Sequence, residues 1–353
     1  MELSNEVNQF EKQEIEHVIK STVPAPLDAE TTAYPNQIGG HGASGNKWKI
    51  LQSRTRHVVY KALQRFPKGV HEVELYERVF DPNCDDEVLL ELRNFIPHYQ
   101  GLFYEPKTNV HYFGMSDLLS HLAHPSICDI KIGRVSYSPN SSPNKVRSEK
   151  TKYLWQKDLG FFITAMRIFD GKVINLDRDY GRALSPTSVY DSGIRLFLGP
   201  DPERARRLAG LFCARLKQLT DWFEKQRHFA FFASSLLLAY ANPNVSSLSG
   251  LTTADSWTEP SSTATTSADS GIDSDIHIGR SPGTSDCSSN SHTENESIVA
   301  CLIDFTRWCE LSNDRDDNVL YGLYKLVDLF ERATTDEISP TWSISPDRIL
   351  VRG

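Results

Sequence analysis

The sequence predicts an α+β fold in which antiparallel sheets pack against helices. Strand-like runs of β-branched and aromatic residues occur at 58–63, 127–132 and 161–169. A long helical pattern covers 202–227, where apolar residues recur every three or four positions and would form one side of a helix. A chain of 353 residues has room for one large domain or for two modest ones with their own cores.

The first third of the chain supplies the elements of a small sheet and its helices. Residues 1–33 are polar with weak periodicity, which predicts a flexible tail. Residues 39–45 read Gly-Gly-His-Gly-Ala-Ser-Gly, which predicts a flexible turn. The elements expected after this turn are a strand at 58–63, helices at 72–80 and 88–96, and a strand at 110–115 that ends in a turn at 116–117.

The second part of the chain supplies a larger layer of strands and helices. Pro186 follows Ser185, and a proline directly after a serine cap predicts the start of a helix. The other elements expected are strands at 127–132, 161–169, 229–240 and 299–305, a short polar helix at 144–153, and helices at 202–227 and 321–333.

One segment, 243–295, differs in composition from everything around it. It contains 22 Ser or Thr among its 53 residues and few large apolar groups. Such a segment cannot bury enough apolar surface to offset the entropy of ordering, so we predict a disordered insert. The strand-like run at 299–305 would rejoin the same sheet, so the insert does not separate two domains.

The overall composition excludes several classes of protein. Hydrophobic residues make up 39% and charged residues 24%, as in ordinary soluble proteins, and no apolar run approaches the length of a membrane span. The polar, acidic amino terminus is unlike a secretory signal. Six cysteines without zinc-site spacing indicate reduced thiols in a cytosolic or nuclear protein. A net charge of −8 gives no general attraction to nucleic acid.

The segment Pro-Ser-Ile-Cys-Asp-Ile-Lys-Ile-Gly at 125–133 is the most informative part of the sequence. Alternate residues of a strand point to the same face, so Asp129 and Lys131 would emerge side by side. The flanking isoleucines can be buried, and Gly133 lets the backbone turn or approach a ligand closely. The carboxylate could orient or deprotonate a hydroxyl group while the ammonium holds a phosphate.

A basic stretch follows this pair on an otherwise acidic protein. Between Lys131 and Lys152 there are six lysines or arginines and a single acid, Glu149. Next to Asp129, this stretch indicates a small, highly anionic substrate that is held at one place.

These residues carry a resemblance to a known family. The pattern Pro-x-x-x-Asp-x-Lys-x-Gly resembles the signature of the inositol polyphosphate kinases. Lys61, the Asp129–Lys131 pair, Ser234-Ser235-Leu236-Leu237 and Ile303-Asp304-Phe305 follow one another in the order expected for that family. The resemblance covers nearly all of the chain that we expect to be ordered.

The resemblance implies a two-lobed kinase-like fold of the inositol polyphosphate kinase type, with ATP between the lobes. Antiparallel sheets with packed helices would form both lobes. The implied organisation is a flexible tail at 1–33, an ATP-binding N-lobe at 34–118, a catalytic and inositol phosphate-binding C-lobe at 119–242 and 296–333, the disordered insert at 243–295, and a C-terminal tail at 334–353.

The resemblance also implies how the nucleotide is bound. A glycine-rich turn, a strand lysine and a helix carboxylate are the parts with which kinases hold nucleotide phosphates. Lys61 would contact the ATP phosphates, with Glu72 as its ion-pair partner. Asp304 would carry Mg²⁺, which takes one or two carboxylates together with nucleotide phosphates. The backbone of the hinge, which would meet the adenine, is formed by Ser116, Asp117 and Leu118.

The same resemblance implies how the acceptor is bound. Asp129 would accept or orient the substrate hydroxyl, and Lys131 would hold a phosphate close to the transferred group. The residues that would bind the other inositol phosphates are Lys145, Lys152, Arg167 and Arg307.

Spacing favours the multikinase type within the family. Only 26 residues separate Gly133 from Gly160, which leaves room for one short helix over the substrate. Inositol trisphosphate 3-kinases have a larger helical insertion there. The chain departs from the multikinase pattern where Ser148 replaces Gln and where Arg307 replaces His, and both changes bear on the preferred phosphate pattern.

Alternatives remain open at this point. The chain could be an inositol trisphosphate 3-kinase or an inositol hexakisphosphate kinase. It could also be a non-catalytic scaffold of the same fold, although four retained charges, at Lys61, Asp129, Lys131 and Asp304, argue against this. The expected partners are inositol polyphosphates, phosphoinositide head groups and regulatory proteins that read the insert, and the expected state is a monomer without nucleic acid.

Overall fold

The computed structural model describes residues 23–39, 50–242 and 296–336, which belong to one compact unit. Several of our predictions lie outside these residues: the tail at 1–22, most of the glycine-rich turn, the Ser/Thr-rich insert and the last 17 residues. None of the helices within the described ranges is long and apolar enough to cross a membrane.

The first sheet has six strands in the spatial order β1-β5-β6-β4-β3-β2. Its strand pairs are antiparallel except for β1 and β5. The strands are β1 (Ala25–Pro26), β2 (Thr32–Ala33), β3 (Leu51–Ser53), β4 (Val58–Ala62), β5 (Tyr99–Glu105) and β6 (Val110–Ser116). The two shortest strands fall where we expected a flexible tail, because two residues of pairing at a sheet edge leave no periodic signal in the sequence.

Two helices accompany this sheet, α1 (Lys68–Val79) and α2 (Glu87–Leu92). Helix α1 begins four residues earlier than predicted, directly after Pro67, which stands at its N-cap. Helix α2 is capped by Asp86, whose carboxylate accepts hydrogen bonds from the N–H groups of Val88 and Leu89. Tyr76 of α1 is buried and places this helix in the largest core cluster of the protein.

The second sheet has five antiparallel strands in the order β12-β11-β7-β8-β9. They are β7 (Ser126–Ile132), β8 (Phe161–Phe169), β9 (Val173–Leu176), β11 (Ser235–Tyr240) and β12 (Ile298–Ile303). The predicted buried strand at 161–169 is confirmed in full. The segment after the insert does return to this sheet, where Ile303 of β12 pairs with Ser235 of β11.

The single strand predicted at 229–240 is wrong, because the chain leaves one sheet and joins another within it. Strand β10 (Phe229–Phe231) pairs with β13 (Trp308–Glu310) in a separate two-stranded sheet. Ala233, between β10 and β11, has a φ of +62°, in the left-handed region where a strand cannot continue. Its carbonyl oxygen accepts a hydrogen bond of 3.0 Å from Lys131 Nζ, so the break in the strand helps to position the Lys131 side chain.

Seven helical elements follow in the rest of the described chain, and most of them pack against the second sheet. They are α3 (Pro143–Lys150), α4 (Gln156–Leu159), α5 (Arg178–Ala183), a π-helical turn (Tyr190–Arg195), α6 (Leu196–Leu198), α7 (Pro202–Lys225) and α8 (Asp317–Thr335). The apolar side predicted for the long helix is buried in α7, where Leu208, Phe212 and Phe223 have no exposed surface. The predicted start at Pro186 is a turn that leads into the π-helical residues.

Together these elements confirm the α+β class with antiparallel sheets. The lobe boundary expected at residues 118–119 falls between β6 and β7. The largest buried cluster nevertheless continues from Tyr76 in α1 to Phe330 in α8, so one core supports both sheets.

Asp316 fixes the start of α8 and ties it to β10. Its buried carboxylate accepts hydrogen bonds from the N–H groups of Phe231, at 2.7 Å, and Val319, at 3.1 Å. Burial raises the pKa of Asp316 to about 6 despite these bonds. We expect Asp316→Ala to lower the free energy of unfolding by about 2–4 kcal/mol, because a cap is lost and a buried N–H is left without a partner. Urea denaturation measures this, and a loss below 0.5 kcal/mol would contradict it.

Candidate active site

A cavity of about 660 Å³ is lined by residues of both large sheets. It contains far more positive than negative side chains, although the whole chain carries a net charge of −8. Among the described residues that line it are eight cations, Lys61, Arg65, Lys68, Lys131, Lys152, Arg178, Arg182 and Arg307, and four carboxylates, Glu72, Asp129, Glu149 and Asp304. The cavity can therefore hold a polyanion, with a few carboxylates left for other tasks.

At one end of the cavity three charged residues from distant parts of the chain meet. Lys61 Nζ on β4 lies 2.7 Å from Glu72 Oε1 on α1 and also forms an ion pair with Asp304, which follows β12. Glu72 Oε1 accepts a second hydrogen bond, of 3.0 Å, from the N–H of Phe305. Glu72 thus connects the first sheet to the end of β12, and it fixes the position of both Lys61 and the Asp304–Phe305 backbone.

Burial and mutual attraction determine the protonation states of this cluster. Burial alone would lower the pKa of Lys61, but the charges of Asp304 and Glu72 outweigh it and raise that pKa. Burial would raise the pKa of Asp304, but Lys61 lowers it. Burial raises the pKa of Glu72 more than Lys61 lowers it. Lys61 and Asp304 are therefore charged near neutral pH.

Asp304 has the properties of a metal ligand that is shared with a bound nucleotide. Its φ of +65° is in the left-handed region, and its side chain keeps 40% of its surface exposed. Within the described ranges no group of three or more His, Cys, Asp or Glu residues could hold a metal ion by itself. Mg²⁺ usually takes one or two protein carboxylates plus phosphate oxygens, so a single accessible carboxylate beside the cavity fits this ion.

Asp129 and Lys131 lie side by side on β7, as predicted. Asp129 Oδ1 is buried without a hydrogen-bond partner among the described residues, which is costly unless a ligand uses it. A register shift between Asp129 and Ile130 in the pairing with β8 marks an irregularity, of the kind that redirects side chains beside active sites. Burial and the charge of Asp304 raise the pKa of Asp129, which makes its carboxylate a stronger base.

Two glycines near this pair occupy positions that leave no room for a side chain. Gly133 has a φ of +108°, and a Cβ atom there would lie 2.6 Å from the side-chain nitrogen of Asn318. A Cβ atom on Gly39 would lie 2.8 Å from Asp129 Oδ2. Any other residue at position 39 would therefore crowd the carboxylate.

The predicted hinge begins at Ser116, the last residue of β6, and continues into the segment that leads to β7. Two of its residues line the cavity, Ser116 and Leu118. The N–H of Ser116 already donates to His98 O at 2.9 Å, and the N–H of Asp117 donates to His57 O at 2.8 Å. The Asp117 carboxylate accepts a hydrogen bond of 2.7 Å from the hydroxyl of Tyr34. An adenine base bound at this hinge would have to form hydrogen bonds with backbone groups other than these two N–H groups.

The other end of the cavity is cationic. Lys152 and Arg307 line it, and Lys145 reaches it through an ion pair with Glu149. Arg307 also donates a hydrogen bond of 2.7 Å to Ser136 O. Three of the four residues to which we assigned inositol phosphates therefore meet around Glu149.

Arg167 is the exception, and the structure does not place it with the other predicted substrate ligands. It lies on β8 and does not line the cavity. Its guanidinium donates to Pro35 O at 3.0 Å, to Asn36 Oδ1 at 3.1 Å and to Asn175 Oδ1 at 3.2 Å. These contacts attach the chain segment before Gly39 to the second sheet, so Arg167 positions that segment.

Several cations of the cavity were not among the residues predicted from the sequence. Lys68 is in the first turn of α1, where a positive charge opposes the helix dipole, and that misfit was the available signal. Burial, with the charges of Arg307, Lys145 and Lys152, lowers the pKa of Lys68. Arg178 and Arg182 lie on α5 and line the same cavity, but nothing in their local sequence distinguishes them from solvent-exposed residues.

Comparison with known proteins shows which family the chain resembles. A sequence profile described as inositol polyphosphate kinase matches residues 112–331. The inositol polyphosphate multikinase of Homo sapiens is 32% identical over 229 residues, which are 63% of this chain and 55% of that protein. Inositol polyphosphate multikinase beta of Arabidopsis thaliana is 27% identical over 236 residues, 60% of this chain and 76% of that protein. The chain spans about half the length of the mammalian relatives that it matches.

Solved structures show the same fold. An inositol phosphate multikinase from S. cerevisiae, solved with ADP and Mn²⁺, superposes with a TM-score of 0.54 at 20% identity over 78% of this chain and 98% of that one. Since the profile match covers more than half of the residues and the folds agree, the chain belongs to the inositol polyphosphate kinase family.

Proposed function

We propose that this protein is an ATP-dependent kinase of the multikinase type, which phosphorylates hydroxyl groups of inositol trisphosphate and tetrakisphosphate. One observation carries the proposal: the Lys61–Glu72–Asp304 cluster, the Asp129–Lys131 pair and a cationic end all line one cavity. These are the parts that phosphoryl transfer needs, because it depends mainly on positioning and on charge neutralisation.

The Lys61 cluster would hold the triphosphate. Lys61 stays charged at neutral pH and can neutralise phosphate oxygens, while Glu72 keeps the ammonium in position from α1. Asp304 would hold a divalent ion such as Mg²⁺, which when bound supplies positive charge to the nucleotide phosphates. This part of the proposal agrees with the ADP and Mn²⁺ in the yeast structure, which belong to that protein.

Asp129 would act on the acceptor hydroxyl. Asp129 Oδ1 can accept the proton of the acceptor hydroxyl while the hydroxyl oxygen bonds to the γ-phosphorus of ATP, the bond from that phosphorus to the bridging oxygen breaks and ADP leaves. The raised pKa of Asp129 favours this proton transfer. Lys131 is held by the carbonyl of Ala233, and its ammonium is placed to attract a phosphate beside the reacting hydroxyl. The remaining phosphates of the acceptor would meet the cationic end of the cavity.

The short segment over the cationic end supports the multikinase type. Between Gly133 and Gly160 the chain forms only α3, of eight residues, and the four-residue α4. Such a small cover leaves the substrate less enclosed, which suits several phosphorylation patterns and also a phosphoinositide head group.

We expect the purified protein to convert inositol 1,4,5-trisphosphate to tetrakisphosphate and pentakisphosphate when ATP and Mg²⁺ are supplied. Anion-exchange separation of the reaction mixture measures this, with EDTA as the control that removes the divalent ion. A single tetrakisphosphate product would instead favour a 3-kinase, and product formed only from hexakisphosphate would favour a hexakisphosphate kinase.

The alternative from another class is a scaffold of the same fold that has lost turnover. No product from any inositol phosphate, with a folded protein, would favour the scaffold over the kinase. The Asp129 Oδ1 atom speaks against it, because a chain released from catalysis would gain stability by replacing a buried carboxylate that has one oxygen without a partner among the described residues.

A further inference from the structure

Glu149 is the centre of the cationic end of the cavity. It lies in the last turn of α3, and its side chain is only 4% exposed. Its Oε1 pairs with Lys145, with Lys152 at 2.9 Å and with Arg307 at 3.4 Å, while Oε2 accepts a hydrogen bond of 2.9 Å from the hydroxyl of Ser136. Two cations close to Glu149 in sequence, Lys145 and Lys152, and one distant cation, Arg307, are thus directed at one carboxylate.

Glu149 is ionised throughout the physiological range. Burial would raise its pKa, but the hydrogen bonds from Lys145, Lys152 and Ser136 outweigh burial and lower the pKa to about 2. The three cations and this carboxylate therefore present two net positive charges to the cavity instead of three.

The three cations nevertheless remain accessible to a ligand. Their side chains keep 36%, 50% and 20% of their surface exposed at Lys145, Lys152 and Arg307, while the carboxylate beneath them is almost covered. A ligand in the cavity would contact Lys152 and Arg307 directly, and Glu149 would act on it through its charge and through the positions that it gives the three cations.

We propose that Glu149 is a specificity-determining positioning residue: it holds Lys145, Lys152 and Arg307 together and offsets one of their charges, so that the cavity disfavours the more highly phosphorylated inositols. This inference rests on the proposed function. Each additional phosphate brings one to two negative charges, so repulsion by a fixed carboxylate grows with the phosphate count.

The test compares the binding of two inositol phosphates by isothermal titration calorimetry without nucleotide. Glu149→Gln keeps the shape of the side chain and removes its charge. We expect the variant to bind inositol 1,4,5-trisphosphate more tightly and an inositol tetrakisphosphate more tightly still. The ratio of the two Kd values should shift by about tenfold in favour of the tetrakisphosphate, the effect of one unit charge at short range.

Glu296→Gln is the matched control. Glu296 also joins two arginines, Arg204 at 3.0 Å and Arg207 at 3.6 Å, and its side chain is 15% exposed, but it does not line the cavity. The ratio of the two Kd values should equal that of the wild type in this variant.

Glu149→Asp separates the effect of charge from that of geometry, because it keeps the charge on a shorter side chain. The ratio of the two Kd values in this variant should equal that of the wild type. An unchanged ratio in Glu149→Gln, or the same shift in Glu149→Asp as in Glu149→Gln, would overturn the proposed role of the charge. A wild-type protein that binds neither inositol phosphate would overturn the proposed function itself, which is a different result.

Discussion

Asp304→Asn is expected to lower kcat by about 10³-fold while the protein stays folded. The substitution removes the negative charge that would hold the divalent ion at the nucleotide phosphates, and an amide oxygen is a much weaker ligand. It also removes the ion pair that helps to place Lys61, although Glu72 remains at 2.7 Å from that ammonium. The variant should therefore have a lower kcat and should also need a higher concentration of divalent ion.

The backbone makes asparagine the appropriate replacement. Asp304 has a φ of +65°, and Asn is among the few residues that adopt the left-handed region at little cost. Because the side chain is 40% exposed, the free energy of unfolding should change by less than about 1 kcal/mol. Alanine would confound the measurement with backbone strain.

Initial rates measured over a range of Mg²⁺ concentrations test this prediction. We expect the variant to need more metal for half of its own maximal rate. Asp28→Asn serves as the control, since Asp28 also forms a partly exposed ion pair, with Arg56 at 3.3 Å, but lies outside the cavity lining. A kcat for Asp304→Asn within threefold of the wild type would show that Asp304 does not hold the catalytic metal.

Long periodic elements could be predicted from the sequence, and so could the residues placed on them. The strand at 161–169 and the buried side of α7 follow from the apolar pattern alone, because the strand is almost entirely buried and the helix buries one side along its length. The pair Asp129 and Lys131 follows from strand alternation. The joint order of these residues with Lys61 and Asp304 then allowed the family to be identified.

What the sequence could not supply depends on contacts between distant residues. The break at Ala233 has no local signal, since the apolar run continues through it, and it exists because the chain changes sheets there. The attachment of Arg167 to Pro35 and Asn36 joins residues about 130 positions apart. Glu149 looked like the single acid of a basic stretch, and only the fold shows that Arg307, 158 positions away, joins Lys145 and Lys152 around it.

The other large effect is expected at Asp129. Asp129→Asn should lower kcat by about 10²–10⁴-fold, the usual contribution of a positioned general base. Asparagine fills the same space on β7, so the strand and its neighbours should be kept. KM for inositol trisphosphate should change much less than kcat, because Lys131 and the cationic end of the cavity remain in place.

Stability should change in the opposite direction to activity. Burial and the charge of Asp304 raise the pKa of Asp129 in the folded protein above its value in the unfolded chain. The ionised carboxylate that catalysis needs therefore lowers the free energy of unfolding near neutral pH. Asparagine removes that cost, and the variant should be as stable as the wild type or more stable at pH 7. As the pH falls through the raised pKa towards 3.8, the ordinary pKa of an aspartate, Asp129 of the wild type becomes protonated, its cost is lost and the advantage of the variant should disappear.

These opposite trends separate a catalytic carboxylate from a structural one. Asp316→Asn is the matched control, because Asp316 is also a buried carboxylate with a raised pKa, but it accepts backbone hydrogen bonds outside the cavity. That variant should keep its kcat and lose some stability, since one acceptor oxygen of the cap becomes an amide. Urea denaturation at pH 7 and pH 5, together with initial rates, measures both properties. Full activity in Asp129→Asn would reject its role as the base, because only a carboxylate can take the proton of the acceptor hydroxyl at that position.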